Sequence, residues 1–346
     1  MNSNRDNHSL DFITILSVLS AISVITLHTN GVFWQFSRER YWITANIIES
    51  VFYFAVPVFF MISGATLLDF PEKYDIVTYF KKRIRKTIIP FFFWSLIGLV
   101  YRLYVLNDFP MGRLRPVTLW NLIITTKIIS IYWFFIPLFA LYLCIPAFAY
   151  IPKEAKHVIF PYLISLGLLI NVTIPFVIKV FHWSFQFPIG IDVARGYLLY
   201  LLLGYWFTYN EFNSRSRKII YLLGVLGLIA HIGGTYALSM KAGKIIQTYK
   251  GYTNLPCVLY SLSIFLVVKE NASRLMNRFK YIFMILKDYT FAIYLLHWFV
   301  MTALVKGLSI NVNSIVYRLG APYLIASISI VITFVFRKIL GSKLLP

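Results

Sequence analysis

The sequence predicts an all-α fold, a polytopic integral membrane helical bundle with about ten transmembrane helices. Of its 346 residues, 59% are hydrophobic and only 13% are charged, whereas soluble domains carry about 25% charged residues. The apolar residues also cluster into runs that suit spans of about 20 residues. We therefore expect a single membrane-embedded domain over residues 1–346, without an appended soluble domain.

Ten apolar runs mark the expected spans. They cover residues 10–31, 47–68, 87–106, 132–151, 157–178, 193–209, 218–238, 254–268, 288–306 and 321–338. The eighth run is short, so its helix is expected to extend to about residue 252 or to be tilted. Residues 117–131 are amphipathic, which favours a position at the membrane interface or a re-entrant segment.

The positive charge belongs to the loops between these runs. A net charge of +20 on a soluble surface would suggest nucleic acid. Here the basic residues separate apolar runs, so we interpret them as topology signals and as contacts to anionic lipid headgroups or ligands, and expect no nucleic-acid partner. Most Lys and Arg residues fall on one side of the membrane when both termini are cytoplasmic, and this bias predicts that orientation.

The first span carries small and polar residues along one face, from Ser17 to His28. At about 100° per residue, these two residues lie three turns apart and nearly in line. Ionisable residues are rare in spans because a charge in hydrocarbon is costly. The face either lines a ligand channel or serves close helix packing, and His28 is either a functional or a hydrogen-bonded structural histidine.

The second span, around residues 56–64 (VPVFFMISG), is expected to be broken by Pro57. Breaks of this kind often line cavities. Ser63 and Gly64 stand at the end of the segment, and a glycine lets a backbone or a ligand approach closely. A kinked span with a close helix contact explains the same residues.

A dense basic loop follows at residues 80–90 (FKKRIRKTIIP). Arg83 and Lys86 are three residues apart and are expected to share a helix face. A cationic cluster at the cytoplasmic mouth suits a phosphate-bearing ligand. Positive-inside anchoring is the alternative explanation.

Together and in this order, the motifs resemble the acyltransferase-3 family of integral-membrane acyltransferases. Members have an Arg, ten residues and then a His in the first span, a VPxFFxISG-like second span, and an RxxR-like loop that ends in Pro and aromatics. A WF…LY…P segment and a C-terminal IYLxH follow. The matching positions here are His28, residues 56–64, 83–90 and 91–94, Trp133 with Phe134, Tyr142 and Pro146, and residues 293–297. The resemblance covers essentially the whole chain.

The resemblance implies an O-acyltransferase of a bacterial inner membrane that moves acetyl from cytoplasmic acetyl-CoA to a hydroxyl of a surface polysaccharide such as O-antigen or capsule. Its partners would be acetyl-CoA, a lipid-linked or polymeric glycan and membrane lipids, with no metal. His28 would be catalytic, either removing the hydroxyl proton or carrying the acyl group. The residues expected to bind the acyl donor are Arg83, Lys86, Ser63, Gly64 and Ser17.

Further residues are expected to bind the acceptor or to be structural, namely Trp133, Arg102, Arg195 and His297. The chain departs from the family at Ser17, where members have Arg. A cation would then come from elsewhere, with Arg102 and Arg195 as candidates, or the activity would be altered.

Two other function classes share the polytopic shape. One is a transporter or flippase of lipid-linked sugars, which would favour repeat-related halves; no internal repeat is visible. The other is a degenerate acyltransferase scaffold with a binding role. Consumption of acetyl-CoA separates the enzyme from both.

Overall fold

The computed structural model describes residues 3–109, 115–185 and 187–345, with side chains from residue 11 onward. The elements within these ranges are all helices. This confirms the predicted all-α membrane bundle. The helices are α1 (Ser3–Thr29), α2 (Arg40–Phe52), α3 (Ala55–Leu67), α4 (Ile76–Arg83), α5 (Ile89–Tyr101), α6 (Pro116–Ile124), α7 (Phe135–Ala149), α8 (Lys153–Leu166), α9 (Ile174–Phe181), α10 (Tyr197–Tyr209), α11 (Ser214–Ala242), α12 (Leu255–Leu286), α13 (Thr290–Leu308) and α14 (Ile315–Leu340).

Eight helical stretches within the described ranges are long and apolar enough to cross a membrane, against ten predicted spans. One of the eight, Leu255–Leu308, contains both α12 and α13. The 13 residues of α10 are too few for a span of their own. The predicted eighth run, 254–268, was wrong in its end, because α12 continues to Leu286 with a kink at Phe279.

Helices are interrupted next to two prolines, Pro57 and Pro90. The second span is broken at Tyr53 and Phe54, between α2 and α3. Pro57 explains the break, because it has no N–H to donate and its ring crowds the carbonyl of Tyr53. Before Pro90, the segment Ile84–Ile88 widens into a π-helix, another common response to a lost helical hydrogen bond. Both interruptions lie beside the cavities described below.

The first helix is central to the bundle. It packs against α2, α3, α12, α13 and α14. Within Asp11–Thr29, 67% of the span is buried inside the protein, compared with 17% for Lys153–Phe181. The small and polar face of α1 therefore contacts protein and internal cavities instead of lipid.

The backbones of α3 and α10 are in direct contact through two glycines. A Cβ added at Gly64 would overlap the carbonyl oxygen of Leu201, and one added at Gly204 would overlap the carbonyl oxygen of Met61. Small residues permit this kind of approach between membrane helices. Gly64 thus serves helix packing in this structure.

The two ends of the bundle differ in their side chains. The basic end carries the start of α1 and the cluster of residues 81–86, which spans the last turn of α4 and the beginning of the π-helical segment. The opposite end, called the His28 end, carries the end of α1, the loop of residues 243–254 and the start of α14. Thr29 at the end of α1 donates a hydrogen bond of 3.1 Å to the carbonyl oxygen of Arg318 in α14.

Candidate functional site

Two histidines from distant parts of the sequence stack on each other inside the bundle. The rings of His28 on α1 and His297 on α13 lie 5.2 Å apart at 28°. The Nδ1 atom of His297 is 2.7 Å from the carbonyl oxygen of Tyr294. Because that oxygen can only accept, Nδ1 carries the proton, and in the neutral ring Nε2 is the acceptor. Nε2 is buried and has no partner in the described part of the chain.

His28 lines a cavity of about 280 Å³, called here the His28 cavity. Its wall is mostly aromatic, with a single carboxylate among the lining residues. Trp133 lies in this wall and stacks on Tyr252, with ring centroids 5.6 Å apart. The lining residues used below are His28, Trp34, Glu49, Tyr53, Trp133 and Tyr252. The structure therefore brings the predicted residues His28 and Trp133 into one site.

A second cavity of about 170 Å³, called the Ser17 cavity, lies on the side of the basic end. Ser17 and Ser63, from two different spans, both line it, together with Thr87 and Tyr142. The hydroxyls of Thr87 and Tyr142 are 3.5 Å apart. The sequence predicted Ser17 and Ser63 as donor-binding residues without placing them together, and the fold brings them to one narrow cavity.

Three side chains line both cavities, namely Phe59, Phe134 and Tyr294. Phe134 is 5.9 Å from Phe59 and 5.7 Å from Tyr294, measured between ring centroids. The Tyr294 ring is in turn 5.6 Å from His297. These three rings form an aromatic partition that separates the cavities beside the histidine pair. Because the partition consists of side chains, rotamer changes alone could open it.

The basic cluster presents one cation to the interior. The Arg83 guanidinium lies 5.5 Å from the ring of Tyr142, which lines the Ser17 cavity. Its Nε atom is buried and has no partner within the described residues. Arg83 is half-buried whereas Lys86 is exposed, and a π-helical segment begins between them at Ile84.

Arg102 and Arg195 lie away from Ser17. The Nε atom of Arg102 donates to Asp108 at 2.9 Å, and a second nitrogen donates to the carbonyl oxygen of Lys127 at 3.1 Å. Arg195 is exposed beside Asp192 and lines a different cavity. Neither arginine lines the Ser17 or the His28 cavity, so the suggestion that one of them replaces a cation at Ser17 is corrected. Arg83 is the arginine that reaches the wall of that cavity.

A buried polar network at the His28 end was missed by the sequence analysis. Glu49 on α2 lines the His28 cavity and is only 2% exposed. Its Oε2 accepts a 3.1 Å hydrogen bond from the Asn30 amide, whose oxygen accepts one of 3.3 Å from Arg318. A carboxylate in an apolar segment is a functional-site signal by itself, and this signal could have identified Glu49.

Lys250 completes the charges around the His28 cavity. Its ammonium is buried over the rings of Phe33 and Tyr53, at 4.4 and 4.3 Å. Nζ has no hydrogen-bond partner in the ranges that the structure covers. Burial lowers the pKa of Lys250 to about 8, and the nearby Glu49 carboxylate opposes that fall. Lys250 and Glu49 are therefore close enough to interact electrostatically, although burial has the larger effect on the pKa of Lys250.

The family of the chain follows from comparison with known proteins. A family model described as an acyltransferase domain, that of the acyltransferase-3 family, matches residues 10–337, nearly the whole chain. Searches of the curated proteins and of the solved structures gave no match. The matched region contains the histidine pair and both cavities, within a bundle of membrane-spanning helices. The chain is therefore a multi-pass membrane protein that belongs to the acyltransferase-3 family.

Proposed function

We propose that the protein transfers acetyl from cytoplasmic acetyl-CoA to a hydroxyl of a cell-surface polysaccharide, of the O-antigen or capsule type, in a bacterial inner membrane. The basic end and both termini then face the cytoplasm. One observation carries the proposal. Two cavities, one toward each end of the bundle, share three aromatic lining side chains beside His28 and His297.

The basic end suits the acyl donor. CoA carries several phosphate charges, and the cluster at residues 81–86 supplies cations there. Arg83 is close to Tyr142 in the wall of the Ser17 cavity, so a phosphate held at Arg83 would direct a thin pantetheine arm inward. Along α1, Ser17 to His28 is a rise of about 16 Å at 1.5 Å per residue. An arm that follows this face would bring its thioester toward His28.

The His28 cavity suits a sugar. Sugar rings have apolar C–H faces and polar edges, and the cavity is lined by the indole rings of Trp34 and Trp133 together with the carboxylate of Glu49. Binding sites of this type combine apolar walls with a few convergent polar groups. A hydroxyl bound there would lie against His28 on the side opposite to the Ser17 cavity.

The reaction needs one proton transfer and no redox step. The acceptor oxygen forms a new ester C–O bond, the thioester C–S bond breaks, and the hydroxyl proton ends on the sulfur of CoA. His28 can remove the proton from the hydroxyl and pass it to the CoA thiolate. Alternatively, it can accept the acyl group from the CoA sulfur and pass it to the acceptor oxygen. Both routes have the same net balance. No protein hydrogen bond to the His28 ring is present within the described residues, which leaves its nitrogens available to substrate.

The proposal is tested by comparing the surface polysaccharide of cells with and without the protein. We expect mass spectrometry to detect acetyl esters only when the protein is present. Membranes from the expressing cells should move label from radiolabelled acetyl-CoA into the polysaccharide fraction and release free CoA. Unmodified polysaccharide together with undiminished acetyl-CoA would contradict the proposal and favour a transport or binding role.

The basic cluster provides a prediction with an internal control. Arg83→Gln is expected to raise the KM for acetyl-CoA by roughly tenfold or more, the effect of losing one hydrogen-bonded ion pair to a phosphate. Lys86→Gln should have a smaller effect, because its side chain is exposed. The measurement is CoA release from membranes at varied acetyl-CoA concentration. An unchanged KM for acetyl-CoA in both variants would reduce the cluster to a topology signal.

A further inference from the structure

We infer that Glu49 binds the acceptor, with its carboxylate accepting a hydrogen bond from a sugar hydroxyl inside the His28 cavity. This inference rests on the proposed function, since it assigns the acceptor-binding group of the same site. Glu49 contributes to the selection and orientation of the hydroxyl that receives the acyl group.

The position of Glu49 gives the first argument. It is almost completely buried, yet it lines the same cavity as His28. Oε2 is occupied by Asn30, and Oε1 accepts no hydrogen bond from the residues that the structure describes. An ionised carboxylate has about four acceptor positions. A buried carboxylate with open positions is costly unless a ligand or water fills them.

A chain of hydrogen bonds through Asn30 fixes the orientation of this carboxylate. The Asn30 amide nitrogen donates to the Ala45 carbonyl oxygen at 2.9 Å as well as to Glu49. The Asn30 oxygen accepts from Arg318, which also donates to Thr44 at 2.8 Å. Because both ends of the amide are bonded, it cannot rotate without losing contacts. Glu49 is therefore preorganised toward the cavity, as a binding group should be.

Lys250 lies near Glu49 without forming an ion pair with it. The described residues contain no salt bridge between the two side chains within 4.0 Å. The ammonium is held instead over the faces of Phe33 and Tyr53. A direct salt bridge would occupy the acceptor positions that a ligand needs. This arrangement leaves the outer side of the Glu49 carboxyl group free of the Lys250 ammonium.

The chemistry of the cavity identifies a hydroxyl donor. A carboxylate repels phosphate, so the CoA head group is excluded from this position. The rings of Trp34 and Trp133 also line the cavity, and aromatic rings of this kind suit the C–H faces of a sugar ring. Together these groups favour a neutral polyhydroxylated ligand at the His28 end.

The test compares Glu49→Gln with Glu39→Gln, a matched change at an exposed glutamate that precedes the same helix. Both variants are assayed in membranes with radiolabelled acetyl-CoA and the lipid-linked glycan extracted from the host cells. We expect Glu49→Gln to raise the KM for glycan by roughly tenfold or more and to leave the KM for acetyl-CoA within about twofold. Glu39→Gln should match the unmodified protein in both constants.

A purely structural role gives a different pattern. If Glu49→Gln raises both KM values together or lowers thermal stability without changing the KM for glycan, the inference is overturned. If this variant does not fold, Glu49→Asp is used for the test, because aspartate keeps the carboxyl group on a side chain that is one methylene shorter. A raised KM for glycan alone supports the inference, and an unchanged value overturns it. Failure of the unmodified protein to transfer acetyl would instead reject the proposed function.

Discussion

Replacing His28 by alanine is expected to lower acetyl transfer by roughly 10²–10⁴-fold, the usual contribution of a positioned general acid or base. The physical reason is its position beside the aromatic partition, where it faces the cavity assigned to the acceptor. If His28 carries the acyl group, the loss is at least as large. The measurement is the initial rate of label transfer from acetyl-CoA to glycan in membranes with equal amounts of protein.

His157→Ala is the matched control, because His157 is an exposed histidine on α8. It should retain the activity of the unmodified protein. The His28→Ala protein should also unfold at a similar temperature, since the half-buried ring faces a cavity. Transfer at the unmodified rate by the His28→Ala protein would reject His28 as the catalytic residue.

The second large effect is expected on stability. Gly204→Ala should lower the free energy of unfolding by about 3 kcal/mol, the upper range for overpacking a core. The new Cβ would meet the backbone of Met61 on α3, and a backbone cannot rotate away as a side chain can. Gly64→Ala should behave similarly, because its Cβ would meet the backbone of Leu201. Thermal unfolding in detergent measures both effects.

Gly233→Ala provides the control within a helix of the same bundle. Nothing lies within 4 Å of a Cβ added there. Alanine also has a better helix propensity than glycine, so stability should stay equal or rise by up to about 1 kcal/mol. If all three substitutions prove equally harmless, the close contact between α3 and α10 does not exist in the protein.

Most of the fold could be predicted from the sequence, because hydropathy and proline act locally. The apolar runs locate the helices, and Pro57 predicts the break that the structure places at Tyr53 and Phe54. The end of α12 was missed because basic residues after position 268 look like a loop, yet they continue the helix to Leu286. Charged helical turns beyond a span leave no hydropathy signal.

The residues of the candidate site were predictable from the sequence, but the contacts between residues of different helices were not. The face of α1 that contains Ser17 and His28 follows from helical periodicity. That Ser17 would share a cavity with Ser63, and that His28 would stack on His297, depends on the packing of distant helices. A single sequence contains no signal for such contacts.

The buried ionisable residues at the His28 end show a second limit of prediction from the sequence. Glu49 interrupts an apolar segment, which the sequence displays. Lys250 and Arg318 stand near predicted span ends, where basic residues usually reach the interface. Only the fold shows that both are buried, with Arg318 linked to Glu49 through Asn30.

The most direct test of the account is the sidedness of acyl transfer. The purified protein is reconstituted into sealed vesicles, and molecules oriented with the basic end outward are selected by protease protection. Radiolabelled acetyl-CoA is added outside, and glycan extracted from the host cells is enclosed inside. The account predicts that label appears on the enclosed glycan and that the His28→Ala protein transfers it at least about 10²-fold more slowly. Label that reaches glycan only when donor and acceptor are on the same side would contradict a path through the bundle from the Ser17 cavity to the His28 cavity.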